Sequence, residues 1–140
     1  MRLVSLALAL AAVALSPLAC RNPFSDESII LAVSQLEAPP YFVRGITGTF
    51  VLTVGVNGCE RFDRVSQMRV NSQIVLTAVG TNSGLGDKSV SCPAALRTEQ
   101  HSVVIDQPLP RRFTVFVRVP SGGTALRAEI YMVDTIDPIE

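Results

Sequence analysis

Alternating apolar and polar residues predict a series of short β-strands along most of the chain. The clearest pattern is in residues 49–56, where every second position is a large apolar residue. These residues are Phe50, Leu52, Val54 and Val56. A period of two is expected of a strand that buries one face. Six further segments have the same alternation, or short aliphatic runs, that predict strands. They are residues 28–36, 64–70, 73–79, 103–105, 113–119 and 126–132.

Residues that favour tight turns separate several of these segments. Asn57-Gly58 follows the clearest strand, and Asn71-Ser72 joins two neighbouring segments in a predicted hairpin. The pattern contains no amphipathic helix of convincing length. About seven short strands with regular turns predict an all-β fold. We expect an antiparallel, immunoglobulin-like sandwich at residues 28–134.

The first residues have the pattern of a leader that directs export. Met1-Arg2 is a minimal basic start, residues 3–15 are almost all Leu, Ala and Val, and residues 16–20 contain a proline and small residues. This apolar run is shorter than the roughly 20 residues that a helix needs to cross a bilayer. The pattern therefore predicts a signal peptide at residues 1–19, which is absent from the mature protein.

Leu18-Ala19-Cys20, at the end of the leader, resembles the lipobox of bacterial lipoproteins. In that family a small residue precedes a cysteine that is acylated on sulfur and becomes the new N-terminus. The chain departs from the usual box at Pro17, where leucine is usual, and at Leu18, where a small residue is usual. The resemblance implies lipid on Cys20 and a membrane-anchored protein of the bacterial cell envelope. The alternative is a plain secretory signal that leaves Cys20 as an odd thiol.

The same resemblance implies a short lipidated tether at residues 20–27. Residues 21–27 reach at most roughly 25 Å when fully extended, so the domain would lie close to the membrane. An aspartate directly after the lipidated cysteine resembles an inner-membrane retention signal in some bacteria with two membranes. This chain has Arg21 at that position, which favours the outer membrane if the source has two.

Cysteine usage agrees with export. The chain has three cysteines, and lipid on Cys20 leaves the even pair Cys59 and Cys92. An even pair in an oxidising compartment predicts one disulfide. Closing a loop of about 34 residues would stabilise the fold by roughly 4 kcal/mol in the chain-entropy model. The alternative is that both residues are buried free thiols.

A looser resemblance covers residues 51–119. The residues that carry it are Asn57-Gly58-Cys59, Phe62, Arg64, Ile74, Cys92-Pro93-Ala94-Ala95-Leu96 and residues 109–117. They are similar to a two-cysteine β domain of small bacterial envelope lipoproteins. That pattern usually has a glycine before the aromatic residue of its last element, where this chain has Arg111-Arg112-Phe113. The resemblance brings no established activity with it.

The charge balance excludes some classes of partner. The chain has 12 basic and 12 acidic residues, and removal of the leader takes away only Arg2. A mature domain of nearly zero formal charge gives no case for binding nucleic acid or for an electrostatic hold on anionic lipid. Its length suits one domain with one core, which we expect to be monomeric.

Few residues could support catalysis. His101 is the only histidine, and its place in a predicted strand favours a solvent-facing residue over a general base. The chain has no Gly-x-Ser-x-Gly motif and no metal-binding spacing such as Cys-x-x-Cys. Residues 80–88 are rich in glycine but lack the Gly-Lys-Ser/Thr ending of a phosphate-binding loop, which favours a surface loop. We therefore predict no enzyme activity, no catalytic residues, no metal site and no cofactor.

Residues 38–48 are predicted to be irregular and carry Tyr41 and Phe42 beside two prolines. Such loop aromatics can bind a partner, or they can pack over the edge of the core. We predict a binding module for an envelope protein or glycan, which would contact it through residues 38–48, residues 80–88 or an exposed edge strand. The alternative is an accessory subunit of an envelope complex, or an inhibitor of a protease or lysozyme. Residues 135–140 are expected to form a frayed acidic tail.

Overall fold

Two β-sheets form the computed structural model, which describes residues 27–84, 91–121, 123 and 125–134. These residues contain nine strands and no helix. The strands are β1 (Glu27–Ile30), β2 (Ala32–Glu37), β3 (Tyr41–Val43), β4 (Gly48–Val56), β5 (Glu60–Val70), β6 (Gln73–Asn82), β7 (Arg97–Ile105), β8 (Arg112–Arg118) and β9 (Leu126–Val133). The predicted all-β sandwich is confirmed, with more strands than expected. The predicted leader, Cys20 and the acidic tail lie outside the described residues.

One sheet has six strands and the other has three. Sheet A has the order β1-β6-β8-β9-β3, and β5 pairs along the other edge of β6. Sheet B has the order β2-β4-β7. Most neighbouring strands are antiparallel, but β6 with β8 and β3 with β9 are parallel. Sheet A is therefore mixed, whereas only antiparallel pairs were expected.

The first predicted strand is divided between the two sheets at Leu31. Strand β1 pairs with β6 in sheet A, whereas β2 pairs with β4 in sheet B. Leu31 is 1% exposed, and its N–H donates to the carbonyl oxygen of Ala78 at 2.9 Å. The prediction of one continuous strand over residues 28–36 was wrong, because an apolar run does not show where a strand changes sheets.

The core lies between the inward faces of the two sheets. The four alternating residues of β4, from Phe50 to Val56, are 0% exposed, so the predicted burial pattern is confirmed. The remaining buried hydrophobic residues are Leu31, Val33, Phe42, Cys59, Ile74, Leu76, Ala78, Val103, Ile105, Leu109, Phe113, Val115, Val117, Ile130 and Met132. Within the described residues no polar or charged residue is buried. Removal of this apolar surface from water is the main force that holds the sheets together.

The predicted disulfide joins Cys59 to Cys92, whose Cα atoms are 5.2 Å apart. Cys59 lies in the turn that carries the chain from β4 in sheet B to β5 in sheet A. The Asn57 side-chain oxygen accepts a hydrogen bond from the Cys59 N–H at 3.0 Å, and this contact is typical of an Asx turn. The Gly58 N–H donates to the carbonyl oxygen of Pro93 at 3.2 Å. The turn after β4 and the segment before β7 are thus joined by a covalent bond and by a hydrogen bond.

Phe42 fills the core beside two other aromatic rings. Its ring centroid lies 5.2 Å from that of Phe50 and 6.0 Å from that of Phe113, distances at which aromatic pairs add to the stability from burial. Gly48 lies directly against this ring, because a Cβ atom on Gly48 would be 2.0 Å from Phe42 Cε2. The missing side chain at position 48 is therefore what leaves room for Phe42.

The substitution Gly48→Ala tests this packing. The added methyl group would overlap the Phe42 ring, and such overpacking typically lowers the free energy of unfolding by about 1 to 3 kcal/mol. The matched control is Gly55→Ala in the same strand, where the nearest atom, Leu96 Cδ1, would lie at an ordinary 3.4 Å. Urea denaturation should show a clear loss for the first variant and no loss for the second, because alanine without overlap is more stable than glycine in a strand by roughly 0.5 to 1 kcal/mol. Equal losses would contradict the packing of Phe42 against Gly48.

Candidate functional site

The two ends of the sandwich differ, and we name each end after its main feature. The disulfide end carries Cys59 and Cys92. Glu27 lies at that end because it pairs with Asn82, the last residue of β6. The hairpin end carries the predicted two-residue turn between β5 and β6, in which Asn71 has a φ of 55°, as tight hairpin turns require. The chain therefore enters the described domain at one end and makes this hairpin at the other.

Two further connections meet at the hairpin end, namely residues 44–47 between β3 and β4 and residues 106–111 between β7 and β8. They are joined by the Gln107 side-chain amide, which donates to the carbonyl oxygen of Ile46 at 3.2 Å. The Arg69 guanidinium, which extends from β5, donates to the carbonyl oxygen of Pro108 at 3.1 Å. Side chains thus hold the connections of this end to one another and to the hairpin.

The first predicted contact segment, residues 38–48, is not an irregular loop. Tyr41 and Phe42 begin β3, which pairs with β9 at the edge of sheet A. Phe42 is 4% exposed and packs in the core, whereas Tyr41 is 45% exposed. The prediction that these residues lie together on a loop was therefore wrong. Of the two aromatic side chains, Tyr41 is the one that a partner could contact.

The second predicted contact segment, residues 80–88, is only partly described. Its first three residues complete β6, which continues to Asn82. Gly80 is buried against Leu31, because a Cβ atom there would lie 2.6 Å from Leu31 Cδ1. Residues 85–88 lie outside the described residues. Residues 80–82 therefore belong to sheet A, and only Ser83 and Gly84 of the described part form a turn after the strand.

Tyr41 lies in a row with two residues that the sequence did not single out. In the strand register Tyr41 is opposite Tyr131, and Tyr131 is opposite Arg112 on its other side. Tyr131 is 48% exposed, and the Arg112 guanidinium carbon lies 5.3 Å from the centre of its ring, which is a cation–π distance. The row contains both tyrosines of the chain. The alternation in β9 predicted that Tyr131 faces outward, but not that it would neighbour Tyr41.

Arginine–carboxylate pairs lie beside this row. Glu129 accepts hydrogen bonds from Arg112 at 2.8 Å and from Arg127 at 2.9 Å. The hydrogen bond from Arg112 is the main reason why the pKa of Glu129 is lowered. Arg44 and Asp134 pair at 2.6 Å, and the hydrogen bond from Arg44 lowers the pKa of Asp134. These carboxylates therefore stay ionised at neutral pH.

Large hydrophobic side chains are also exposed on the surface. They are Tyr41 (45%), Ile46 (60%), Met68 (56%), Val70 (47%), Leu96 (70%), Val104 (46%) and Tyr131 (48%). Leu96 lies at the disulfide end, immediately before β7. The other six lie at the hairpin end or on strand residues next to it. In the part of the chain that the structure describes, the exposed apolar surface is therefore unevenly divided between the two ends.

A groove of about 360 Å³ lies between β5 and β7. Strand β5 is an edge of sheet A and β7 is an edge of sheet B, so the groove follows the open side of the sandwich. The Gln67 side-chain amide crosses it and donates to the carbonyl oxygen of Val104 at 2.7 Å. Arg69 also donates to the carbonyl oxygen of Asp106. The Gln67 amide thus satisfies a carbonyl group of the edge strand β7, and Arg69 binds the residue that follows this strand.

His101 was expected to face solvent, but it lines the groove. It is opposite Leu52 in the β4–β7 pair, and residues opposite each other lie on the same face of a sheet, here the inward face. Its ring stacks on Phe62 with centroids 3.5 Å apart, and its Nε2 lies 3.3 Å from a carboxylate oxygen of Glu99. The ring therefore serves the packing of β7 against β5. That the chain has no catalytic residue stays a prediction.

Within the described residues, no group of three or more His, Cys, Asp and Glu side chains could hold a metal ion. The same residues include no helix with the length and apolar character needed to cross a membrane. No family model, no curated protein and no solved structure matches the chain. A function must therefore be inferred from the residues and geometry of the chain itself.

The Glu129 ion pairs give a testable pH dependence. The pKa of Glu129 should lie below its ordinary value of 4.5, and Arg112→Gln should raise it more than Arg127→Gln, because Arg112 has the larger effect. The pKa of Glu129 is lower in the folded than in the unfolded chain. The ion pairs therefore stabilise the fold at pH values above the ordinary pKa, and this stabilisation is lost as the pH falls through the folded pKa. NMR titration of the carboxyl carbon in the three proteins measures the order. A larger rise in the Arg127→Gln protein would contradict the assignment.

Proposed function

We propose that the protein is a non-catalytic binding module, anchored in the bacterial cell envelope by lipid on Cys20, that binds another envelope protein. The observation that carries this proposal is the set of seven large hydrophobic side chains that the described part of the sandwich leaves exposed. Single exposed apolar residues are common on protein surfaces. Larger groups of them are typical of surfaces that contact other molecules.

The exposure of these side chains is not a consequence of an incomplete core. The largest inward-facing residues, such as Phe50 and Phe113, are at most 1% exposed. In the described part of the chain, every buried side-chain nitrogen or oxygen has a hydrogen-bond partner. The core is therefore filled, and its polar atoms are hydrogen-bonded, without any contribution from the exposed residues. Their burial by a partner would add a favourable free energy of roughly 25 cal/mol for each Å² of apolar surface.

The leader and the cysteines support the anchor. Residues 3–15 have the apolar character of a signal peptide, and Ala19-Cys20 is the standard end of a lipobox. The Cys59–Cys92 disulfide supports export, because disulfides persist mainly outside the reducing cytoplasm. Cys20 is the third cysteine of the chain and is not part of this disulfide. Lipid attachment gives this residue a role and holds the domain at the membrane.

The anchor predicts a specific mass for the mature protein. Protein from the detergent-soluble membrane fraction should begin at Cys20 and carry diacylglycerol and a fatty acyl group, and its other two cysteines should react with alkylating reagent only after reduction. Intact-mass spectrometry measures both properties in one sample. The control is Cys20→Ser, which cannot be acylated on sulfur and should not show the lipidated mass. An unlipidated native protein, or one that retains Met1, would contradict the anchor.

The binding role predicts contact with another protein in cells. A photoreactive amino acid, placed singly at each of the seven exposed apolar positions of the full chain, should give a discrete adduct with a second protein at one or more of them. Thr98, an exposed polar position on β7, is the control and should give none. Adducts are detected by immunoblotting and identified by mass spectrometry. If none of the seven positions gives an adduct while the protein is at the membrane, the binding proposal fails.

A further inference from the structure

We propose that the hairpin end is the binding surface and that its partner is a protein with an acidic and apolar surface. This inference rests on the proposed function, because it names the part of the domain that would bind and the chemistry of the partner. The surface comprises residues 44–47, the hairpin tip at Val70 and Asn71, residues 106–111, and the row of Tyr41 and Tyr131 next to them. It includes Tyr41 but none of the predicted loop at residues 80–88.

The position of this end relative to the tether is the first argument. Glu27 pairs with Asn82, whereas the hairpin turn precedes Gln73 at the opposite end of β6. The ten residues of β6 span roughly 33 Å at about 3.3 Å per residue. A tether that precedes Glu27 therefore attaches at the disulfide end. The hairpin end is the part of the domain that is farthest from the point of attachment and most accessible to another envelope protein.

The distribution of exposed apolar residues is the second argument. Ile46 and Val70, which are 60% and 47% exposed, lie on the hairpin end itself. Met68, Val104, Tyr41 and Tyr131 lie one or two residues from the positions where β5, β7, β3 and β9 reach this end. Among the described residues, six of the seven exposed large hydrophobic side chains thus surround the surface farthest from the tether. Tyrosine is enriched in the central part of protein interfaces, because its ring is apolar and its hydroxyl group is polar.

The charge of the hairpin end is the third argument. Among the described residues of this end, four arginines stand against three carboxylates: Arg44, Arg69, Arg111 and Arg112 against Asp106, Asp134 and Glu129, which accepts from Arg112. Arg44 pairs with Asp134, and Arg69 donates to backbone carbonyls and not to a carboxylate. Arg111 is exposed. The excess of positive charge beside apolar side chains complements a partner that carries carboxylates beside apolar groups, and it would speed their encounter.

The rigidity of the end is the fourth argument. The Gln107 amide holds the Ile46 connection, Arg69 holds the Asp106 and Pro108 carbonyls, and the Thr114 N–H donates to the Ser72 carbonyl oxygen at 2.9 Å. The three connections of this end, at residues 44–47, at the hairpin tip and at residues 106–111, are therefore fixed before a partner arrives. A preorganised surface loses little conformational entropy on binding, so more of the contact energy becomes affinity.

Site-specific photo-crosslinking in intact cells tests the proposal on the full chain. Probes at Ile46 and Val70 should give an adduct of one common size, and a probe at Leu96, the exposed apolar residue of the disulfide end, should give none. The captured protein should be acidic on the surface that is crosslinked. Arg111→Glu should reduce the adduct about tenfold, because it places like charges at a charged interface. Arg97→Glu at the disulfide end is the matched control and should leave the adduct unchanged.

Each other outcome has a definite meaning. Adducts at Leu96 but not at Ile46 or Val70 would overturn the choice of surface and leave the proposed binding function intact. Adducts with a second copy of the chain, with its own residues 135–140, with lipid or with glycan would overturn the choice of partner. An unchanged adduct in Arg111→Glu, in protein with the native melting temperature, would overturn the role of charge. The absence of adducts at every exposed apolar position would overturn the proposed function itself.

Discussion

The bond between Cys59 and Cys92 closes a loop that contains the whole β5–β6 hairpin. Strand β5 needs such support, since residues 66–70 are all exposed and bury little surface in the core. The cysteines lie where the chain leaves sheet B after β4 and shortly before it returns as β7. The disulfide therefore joins the two sheets at one end, and the roughly 4 kcal/mol expected from closing such a loop is a large part of the stability of a small domain. The hairpin end, which has no such bond in the described residues, is held by side-chain hydrogen bonds.

The alternation of residues revealed which side of a strand is buried, but not which strand lies next to it. The burial of Phe50 to Val56 was therefore predicted correctly, whereas the turn at Asn71 was predicted from its residue types and the disulfide from the even pair of cysteines. The parallel pairs β3–β9 and β6–β8, and the change of sheet at Leu31, depend on contacts between distant residues that a local pattern does not contain. The candidate surface was missed for the same reason. Tyr41 was recognised, but its neighbours Tyr131 and Arg112 come from strands about 70 to 90 residues further along the chain, brought beside it by a parallel pairing that needs a long connection.

The open side of the sandwich is formed by two edge strands, β5 and β7, whose exposed backbone groups are partly covered. An edge strand can pair with another chain and so promote aggregation, and proteins limit this with inward polar residues and with side chains that cover backbone groups. Strand β7 has both features, since Glu99 and His101 lie on its inward side while Gln67 donates to the Val104 carbonyl. The edge is therefore partly protected, whereas the apolar residues at the hairpin end are not. The hairpin end is therefore suited to binding a partner, whereas the open side resists pairing with another strand.

The pairing of β1 has a mechanical consequence for a protein held at both ends. In the proposed arrangement the membrane pulls on Glu27 while a partner holds the hairpin end, so the load acts along the axis of β1. The register Glu27–Asn82 to Ile30–Val79 would then be loaded in shear, with the pairs sharing the tension instead of opening one after another. Behind them, Leu31 leads directly into β2 of the other sheet. Tension that enters through the anchor would therefore be divided between both layers of the domain.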